Sequence, residues 1–217
     1  MTEEERRFEE YLKDRTEEEI RAKIVSLKRE MTRLKNNLEN PYHKPPVKKR
    51  ETMARIRCIR LCLERAKKAL IRAGGEYVPT DAEAKAADFD ANIPFINRIT
   101  FDIGGYYGQD IVTVDLAGAE LIWNYEPMCG RKMPEDLFTR KPMGKDEFLR
   151  KIQNLRMGEW RRYYDTRRFH YFVCDGTQWG IDIEYSNGHK PVSFSGSNSY
   201  PYNFNSFVRL IKSAMTF

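Results

Sequence analysis

The chain has 217 residues, of which 41% are hydrophobic, 32% charged and 12% aromatic, with a formal net charge of +6. That length accommodates one large domain or two modest ones, and no run approaches the ~18 apolar residues of a membrane span. Four cysteines (Cys58, Cys62, Cys129 and Cys174) are too few to staple a chain of this size.

The start, Met1-Thr2-Glu3-Glu4-Glu5-Arg6-Arg7, is charged where a secretion signal would be apolar. Cytoplasmic localisation with reduced thiols is therefore expected. Residues 2–14 read as a short polar helix with Phe8, Tyr11 and Leu12 on one side. Thr16-Glu17-Glu18-Glu19 is a capping-box pattern, in which hydroxyl and carboxylate satisfy each other's backbone amides. Behind it Ile20, Ile24, Leu27, Met31, Leu34 and Leu38 alternate in steps of four and three, a heptad seam that Asn40-Pro41 ends.

Tyr42-His43-Lys44-Pro45-Pro46 is a stiff connector. A second helix is predicted over 47–73, with the seam Ile56, Ile59, Leu63, Ala66, Leu70 and Ala73 and the stop Gly74-Gly75. Two matched seams joined by a short loop predict an antiparallel, coiled-coil-like helical hairpin. A domain-swapped homodimer would preserve the same seams between chains. Residues 76–94 read as a linker with room for a short Ala-rich helix.

From Ile96 the period falls to two. Ile99, Phe101 and Ile103, then residues 111–116, then Leu121, Trp123 and Tyr125 predict a three-strand meander. An irregular loop follows over 127–143. A helix is predicted over 145–163, with Gly158 a potential break, and a strand over 169–174. Trp179, Ile181, Ile183 and Tyr185 alternate in the next strand, Asn187-Gly188 is a hairpin turn, Val192 and Phe194 continue the sheet, and Asn203 or Asn205 caps a last helix. The expected fold is α+β: a helical hairpin over 1–75, the linker 76–94, and over 95–217 a mainly antiparallel sheet of about six strands with two helices on one face.

Charge is unevenly distributed. Residues 44–75 hold 11 basic and 2 acidic side chains, whereas 1–43 hold 10 and 11. Lys48, Lys49, Arg50, Arg55, Arg57, Arg60, Arg65, Lys67, Lys68 and Arg72 therefore form the candidate partner-binding set. A cationic rod of this kind tracks phosphates or an acidic surface. The competing explanation is a solvated face paired with acids of the first helix. A second candidate is Trp160, Arg161, Arg162, Arg167 and Arg168, within a stretch that interleaves arginines with aromatics as single-strand binders do. Ordinary burial of those aromatics is the plainer account.

Chemistry-bearing constellations are sparse. Cys58 and Cys62 share a helix face without further ligands, and His170 with Cys174, or Asp182 with Glu184, make at most a pair. No nucleotide-binding, hydrolase or metalloprotease motif occurs. Neither an enzymatic activity, a metal nor a cofactor is expected.

Two stretches, Asp175-Gly176-Thr177-Gln178-Trp179 and Gly196-Ser197-Asn198-Ser199-Tyr200-Pro201-Tyr202-Asn203-Phe204, resemble a C-terminal module of uncharacterised proteins in gut Firmicutes and their mobile elements. The resemblance covers residues 95–215 and implies a bacterial or phage setting, with no activity to carry over. Composition and resemblance together lead to an expectation: a non-catalytic protein that docks on a protein or a nucleic-acid–protein complex. An inhibitor of a host defence effector, of the anti-CRISPR type, is one such protein. Direct DNA or RNA binding through the basic second helix is the alternative, and a hydrolase or nuclease the third reading.

Overall fold

The computed structural model describes residues 3–42, 49–118, 120–128, 143–173 and 175–214. The chain divides into two compact units, 1–79 and 80–217.

The first unit is built on α1 (Glu3–Lys13), α2 (Glu17–Glu39) and α3 (Lys49–Arg72). Thr16 caps α2 in a complete capping box. Most of the predicted seam is buried: Ile20, Ile24 and Leu27 of α2 close on Ile59, Leu63, Ala66 and Leu70 of α3, and Leu12 of α1 joins them, whereas Met31, Leu34 and Leu38 are half-buried and Ala73, past the end of α3, is exposed. Two cross-links fix the antiparallel sense. Arg21 Nη2 donates to the Glu76 carbonyl at 2.9 Å, just past the end of α3, and Arg55 Nε reaches Glu30 at 3.0 Å. Gly74, at φ 86°, takes the left-handed turn that stops α3, a conformation most L-residues avoid.

The second unit is an α+β layer. β1 (Ile96–Gly105), β2 (Gly108–Asp115), β3 (Ile122–Glu126), β4 (Tyr163–Asp165), β5 (Gln178–Tyr185) and β6 (Val192–Ser197) form one sheet in the order β3-β2-β1-β5-β6-β4. Period-two alternation turns Ile99, Phe101, Trp179, Ile181, Ile183 and Phe194 to one face. There they meet Phe148 and Ile152 of α5 (Lys145–Leu155), and Phe207, Leu210 and Ile211 of α6 (Phe204–Ala214).

Three expectations are corrected. The stretch read as a linker holds α4 (Asp81–Asn92), capped by Thr80, and its Phe89 and the following Ile93 belong to the sheet core. The helix predicted over 145–163 ends at Leu155, because Arg156 turns left-handed at φ 52°. Gly158 then presses against α4 so closely that a Cβ would lie 2.8 Å from the Ala86 backbone. The strand predicted over 169–174 is absent among the described residues. The chain pairs earlier, as β4, and lies parallel to β6, so the sheet is mixed and, as expected, mainly antiparallel. Thr166–Phe169 is a 3-10 turn and His170 is left-handed, so His170 is not on a strand. Cys174, Cys129, Lys48, the connector 43–46 and most of the 127–143 loop lie outside the described residues.

Candidate functional site

In the helical unit, Tyr77 marks which cations share a side. Lys28 Nζ of α2 lies 5.1 Å from its ring centroid and Lys67 Nζ of α3 lies 4.9 Å from it. Both distances suit a cation–π contact. At 100° per residue, Arg21 and Lys35 fall on the stripe of Lys28, and Lys49 and Arg60 on the stripe of Lys67. Arg50, Arg57 and Lys68 form the neighbouring stripe of α3, and Arg72, seven residues beyond Arg65, falls on the stripe of that residue. This side also carries acids: Glu17, 2.7 Å from Arg21; Glu64, 3.2 Å from Lys67; Glu39, which is buried; and the exposed Glu76 beside Tyr77.

The opposite side is compensated. Arg55 pairs with Glu30, and Arg65 with Glu9 of α1 at 3.2 Å. The Glu30 carboxylate, hydrogen-bonded to Arg55, raises the arginine's pKa further. The predicted basic set is thus divided. Arg55 and Arg65 are tied to acids of neighbouring helices, whereas Lys49, Arg50, Arg57, Lys68 and Arg72 are exposed and pair with no carboxylate among the described residues. A shallow groove of about 510 Å³ along α2 adds Arg29 and Arg33 beside Thr32, Asn36 and Asn37.

Cys58 and Cys62 are free thiols. Burial, then the neighbouring Cys58, push the Cys62 thiol up to about 11. It is therefore protonated at neutral pH, which suits neither a nucleophile nor a metal ligand. Among the described residues no cluster of three metal-ligating side chains occurs.

The second candidate stretch is largely consumed by the fold. Trp160 is buried and its Nε1 donates to Asn203 Oδ1 at 2.9 Å. The Arg162 guanidinium lies 4.9 Å over the Phe194 ring, and burial lowers its pKa. Arg161 is exposed, its backbone amide donating to the Tyr164 hydroxyl at 3.1 Å. Arg167 pairs with Asp165 at 2.9 Å, and Arg168 lies 4.6 Å over Phe169. Tyr164 is buried, while Tyr163, Tyr171 and Phe172 remain exposed.

The two motif stretches meet. Thr177 and Asn198 exchange hydrogen bonds, the Thr177 amide donating to Asn198 Oδ1 and the Asn198 amide to the Thr177 carbonyl, both at 2.9 Å. Trp179 Nε1 donates to the Ser199 carbonyl at 2.9 Å, and Tyr200 stacks on the indole. Much of each motif is thus explained as structure. What it leaves open is a cleft of about 250 Å³ at the β1–β2 turn, lined by Tyr106, Gln109, Asp175, Gln178 and Asn198 among others. Sequence reading missed Tyr106 and Gln109. The signal available was the Gly104-Gly105-Tyr106-Tyr107-Gly108 turn, where aromatics sit on a tip that cannot bury them.

His189 is bound at both ring nitrogens, by Asp88 at 2.9 Å and the Lys190 carbonyl at 2.8 Å, so neither nitrogen faces a substrate. Asp182 accepts from Ser193 Oγ at 2.5 Å. No family model, no curated protein and no solved structure matches the chain. No helix among the described residues is long and apolar enough to cross a membrane.

Proposed function

We propose that the chain is a non-catalytic interaction protein that docks on a nucleic-acid–protein complex through the cation-rich side of its helical unit. One observation carries the reading. Cations of α2 and α3 share the side marked by Tyr77, while on the other side Arg55 and Arg65 are paired with Glu30 of α2 and Glu9 of α1. A field confined to one side steers an encounter and fixes its orientation. An inhibitor of a host defence effector in a bacterial or phage setting is a concrete protein of this kind. The α2 groove favours a second reading, direct binding of DNA or RNA, because Arg29 and Arg33 beside hydroxyl and amide groups suit phosphate and sugar contacts.

The test is the triple variant Lys49→Glu, Arg57→Glu and Lys68→Glu. These side chains are exposed and off the seam, so the fold should be retained. Capture of the partner from a bacterial lysate should be lost. Deproteinised nucleic acid separates the readings: direct binding retains naked DNA or RNA, whereas docking on a nucleic-acid–protein complex is lost once its protein is removed. Wild-type affinity for nucleic acid should also fall steeply between about 50 and 200 mM salt through counterion release, whereas for a protein surface salt acts chiefly on the association rate. A triple variant that captures its partner as well as wild type at every salt concentration removes the helical unit from the function.

A further inference from the structure

The cleft of the sheet unit is built on one rung of the sheet. Gln109 of β2 and Gln178 of β5 both pair with Gly104 of β1, one on each side. Residues in register point to the same face, so the two amides flank a position that has no side chain. Gly104 cannot be filled: a Cβ there would lie 2.1 Å from the Gly108 carbonyl oxygen. This rung lies on the face opposite Trp179 and the core, because Gln178 precedes Trp179 on β5. Both glutamines are exposed, and neither side chain has a hydrogen-bond partner among the described residues.

Around that rung stand aromatic and polar groups. Tyr106, 86% exposed, rises from the β1–β2 turn with Tyr107 packed edge-on against it. Asp175, in the turn before β5, lines the cleft as an acceptor. The chain reaches the cleft wall at Val173 from the end of β4, which lies beside Ser197, and on the way it carries Arg167 and the 73% exposed Phe172.

We propose that this cleft takes one unpaired nucleobase of a nucleic-acid strand. The inference rests on the reading that the partner contains nucleic acid. A coplanar amide offers a donor and an acceptor together, the pattern that Gln presents to a base edge, and a carboxylate accepts from an exocyclic amine. An exposed tyrosine supplies the stacking surface on which splayed bases are held. Among the described residues the lining carries no cation, so the phosphate stays outside the cleft. A volume of about 250 Å³ admits a base with its ribose and not a base pair.

The test uses uncharged nucleosides on the full chain, which removes any contribution from the cationic side of the helical unit. Adenosine, cytidine, guanosine and uridine are titrated while the side-chain amide resonances of Gln109 and Gln178 are followed by NMR. Saturable shifts with at least one nucleoside, and none with ribose or methyl glucoside, are expected. Tyr106→Ala should weaken that binding about fivefold or more, the lower end of base–aromatic stacking, and Tyr106 is too exposed for the fold to depend on it. The helical triple variant should bind nucleosides like wild type. Absence of shifts with every nucleoside overturns the base slot, whatever the helical unit does. Equal shifts with the plain sugars overturn it in favour of a carbohydrate site. Failure of the helical reading instead shows as nucleoside binding that persists while the triple variant captures its partner unchanged.

Discussion

The helical unit and the sheet unit distribute their side chains in opposite ways. Along α3 only Ile56, Ile59, Leu63, Ala66 and Leu70 are buried, and charge takes most of the remaining positions, with Leu61 and Ile71 exposed among them. Along β5 every second residue from Trp179 to Tyr185 is buried, and the aromatic rings of Trp160, Trp179, Phe204 and Phe207 interlock behind the sheet. The lesson is where each unit has surface to spare. A narrow seam frees whole helix sides for display. A sheet packed on one face gathers exposed aromatic and polar groups at the strand ends, where alternation stops, and the Tyr106 turn and the Asp175-Gly176 turn meet there.

The sharpest way to break this comparison is Trp179→Ala. The indole is buried, bonded to the Ser199 carbonyl, and in contact with Tyr164, Tyr200 and Phe204. Its removal should cost about 3–5 kcal/mol, read as a shift of the urea midpoint at unchanged slope. A variant that melts like wild type would mean that the aromatic core is not what holds the sheet unit together.

Regular periodicity made the α+β architecture legible. The helical seams, the meander and the Trp179 strand repeat one spacing long enough to be recognised, the Thr16 capping box is a residue pattern of its own, and apart from Ala73 at the end of the second seam they are found where expected. The failures cluster between 156 and 173. Three successive short devices operate there, namely a left-handed arginine, a 3-10 turn at Met157–Glu159 and a three-residue parallel strand. None is longer than one period, so no periodic signal exists to read. Parallel pairing of β4 with β6 is moreover set by tertiary packing, since parallel neighbours need not be joined by a turn. For the candidate site, the concentration of positive charge was visible, but its partition was not. That Arg55 and Arg65 face acids while Arg57 and Lys68 do not depends on which sides of α3 are covered by α2, which supplies Glu30, and by α1, which supplies Glu9.

A smaller effect tests whether the polar groups of the sheet core are structural. Asn203 is buried, accepts from Trp160 Nε1 at 2.9 Å and donates to the Leu155 carbonyl at 2.7 Å. Asn203→Ala strands both partners, which should destabilise by about 2–3 kcal/mol. Asn203→Asp retains the acceptor for Trp160 and loses the donor to Leu155, so it too should lose stability at neutral pH. Thermal unfolding that ranks either variant with wild type would show the pair to be dispensable.

The helix caps allow the two units to be compared with the chemistry held constant. Thr16 and Thr80 each accept from a glutamate amide three residues on, and each receives the matching carboxylate on its own backbone amide, at 2.9 Å in both boxes. Each Thr→Ala change should cost about 1 kcal/mol. Amide exchange at Glu19 and Glu83 should accelerate in the respective variants. A cost at Thr80 well above that at Thr16 would show that the start of α4 does more for the sheet core than an isolated cap does.

The smallest expected effects are in pH dependence, where the two units should differ in sign. In the helical unit the Thr16 amide, and then Arg15, hold the Glu19 carboxyl below its ordinary range. Its contribution is therefore present above the usual glutamate pKa and is lost as pH falls through the lowered value. In the sheet unit Asp102 lies so close over β5 that a Cβ on Gly180 would be 2.4 Å from its Oδ1. Burial, and then the charge of Asp182, raise its pKa, although the Gly180 amide opposes them. The folded state then holds this proton more tightly than the unfolded chain does. Stability from Asp102 is accordingly greatest at low pH, and it declines as pH rises from the ordinary aspartate value through the raised one. Asp102→Asn keeps the shape without the charge and should flatten that decline, making the variant more stable than wild type at neutral pH and closer to it in acid. Glu19→Gln should do the reverse, costing stability at neutral pH and little in acid. Denaturant midpoints of both variants across the acid range give the measurement. An Asp102→Asn variant less stable than wild type at neutral pH would mean that the carboxylate gains more from the Gly180 amide than it loses to burial and to Asp182.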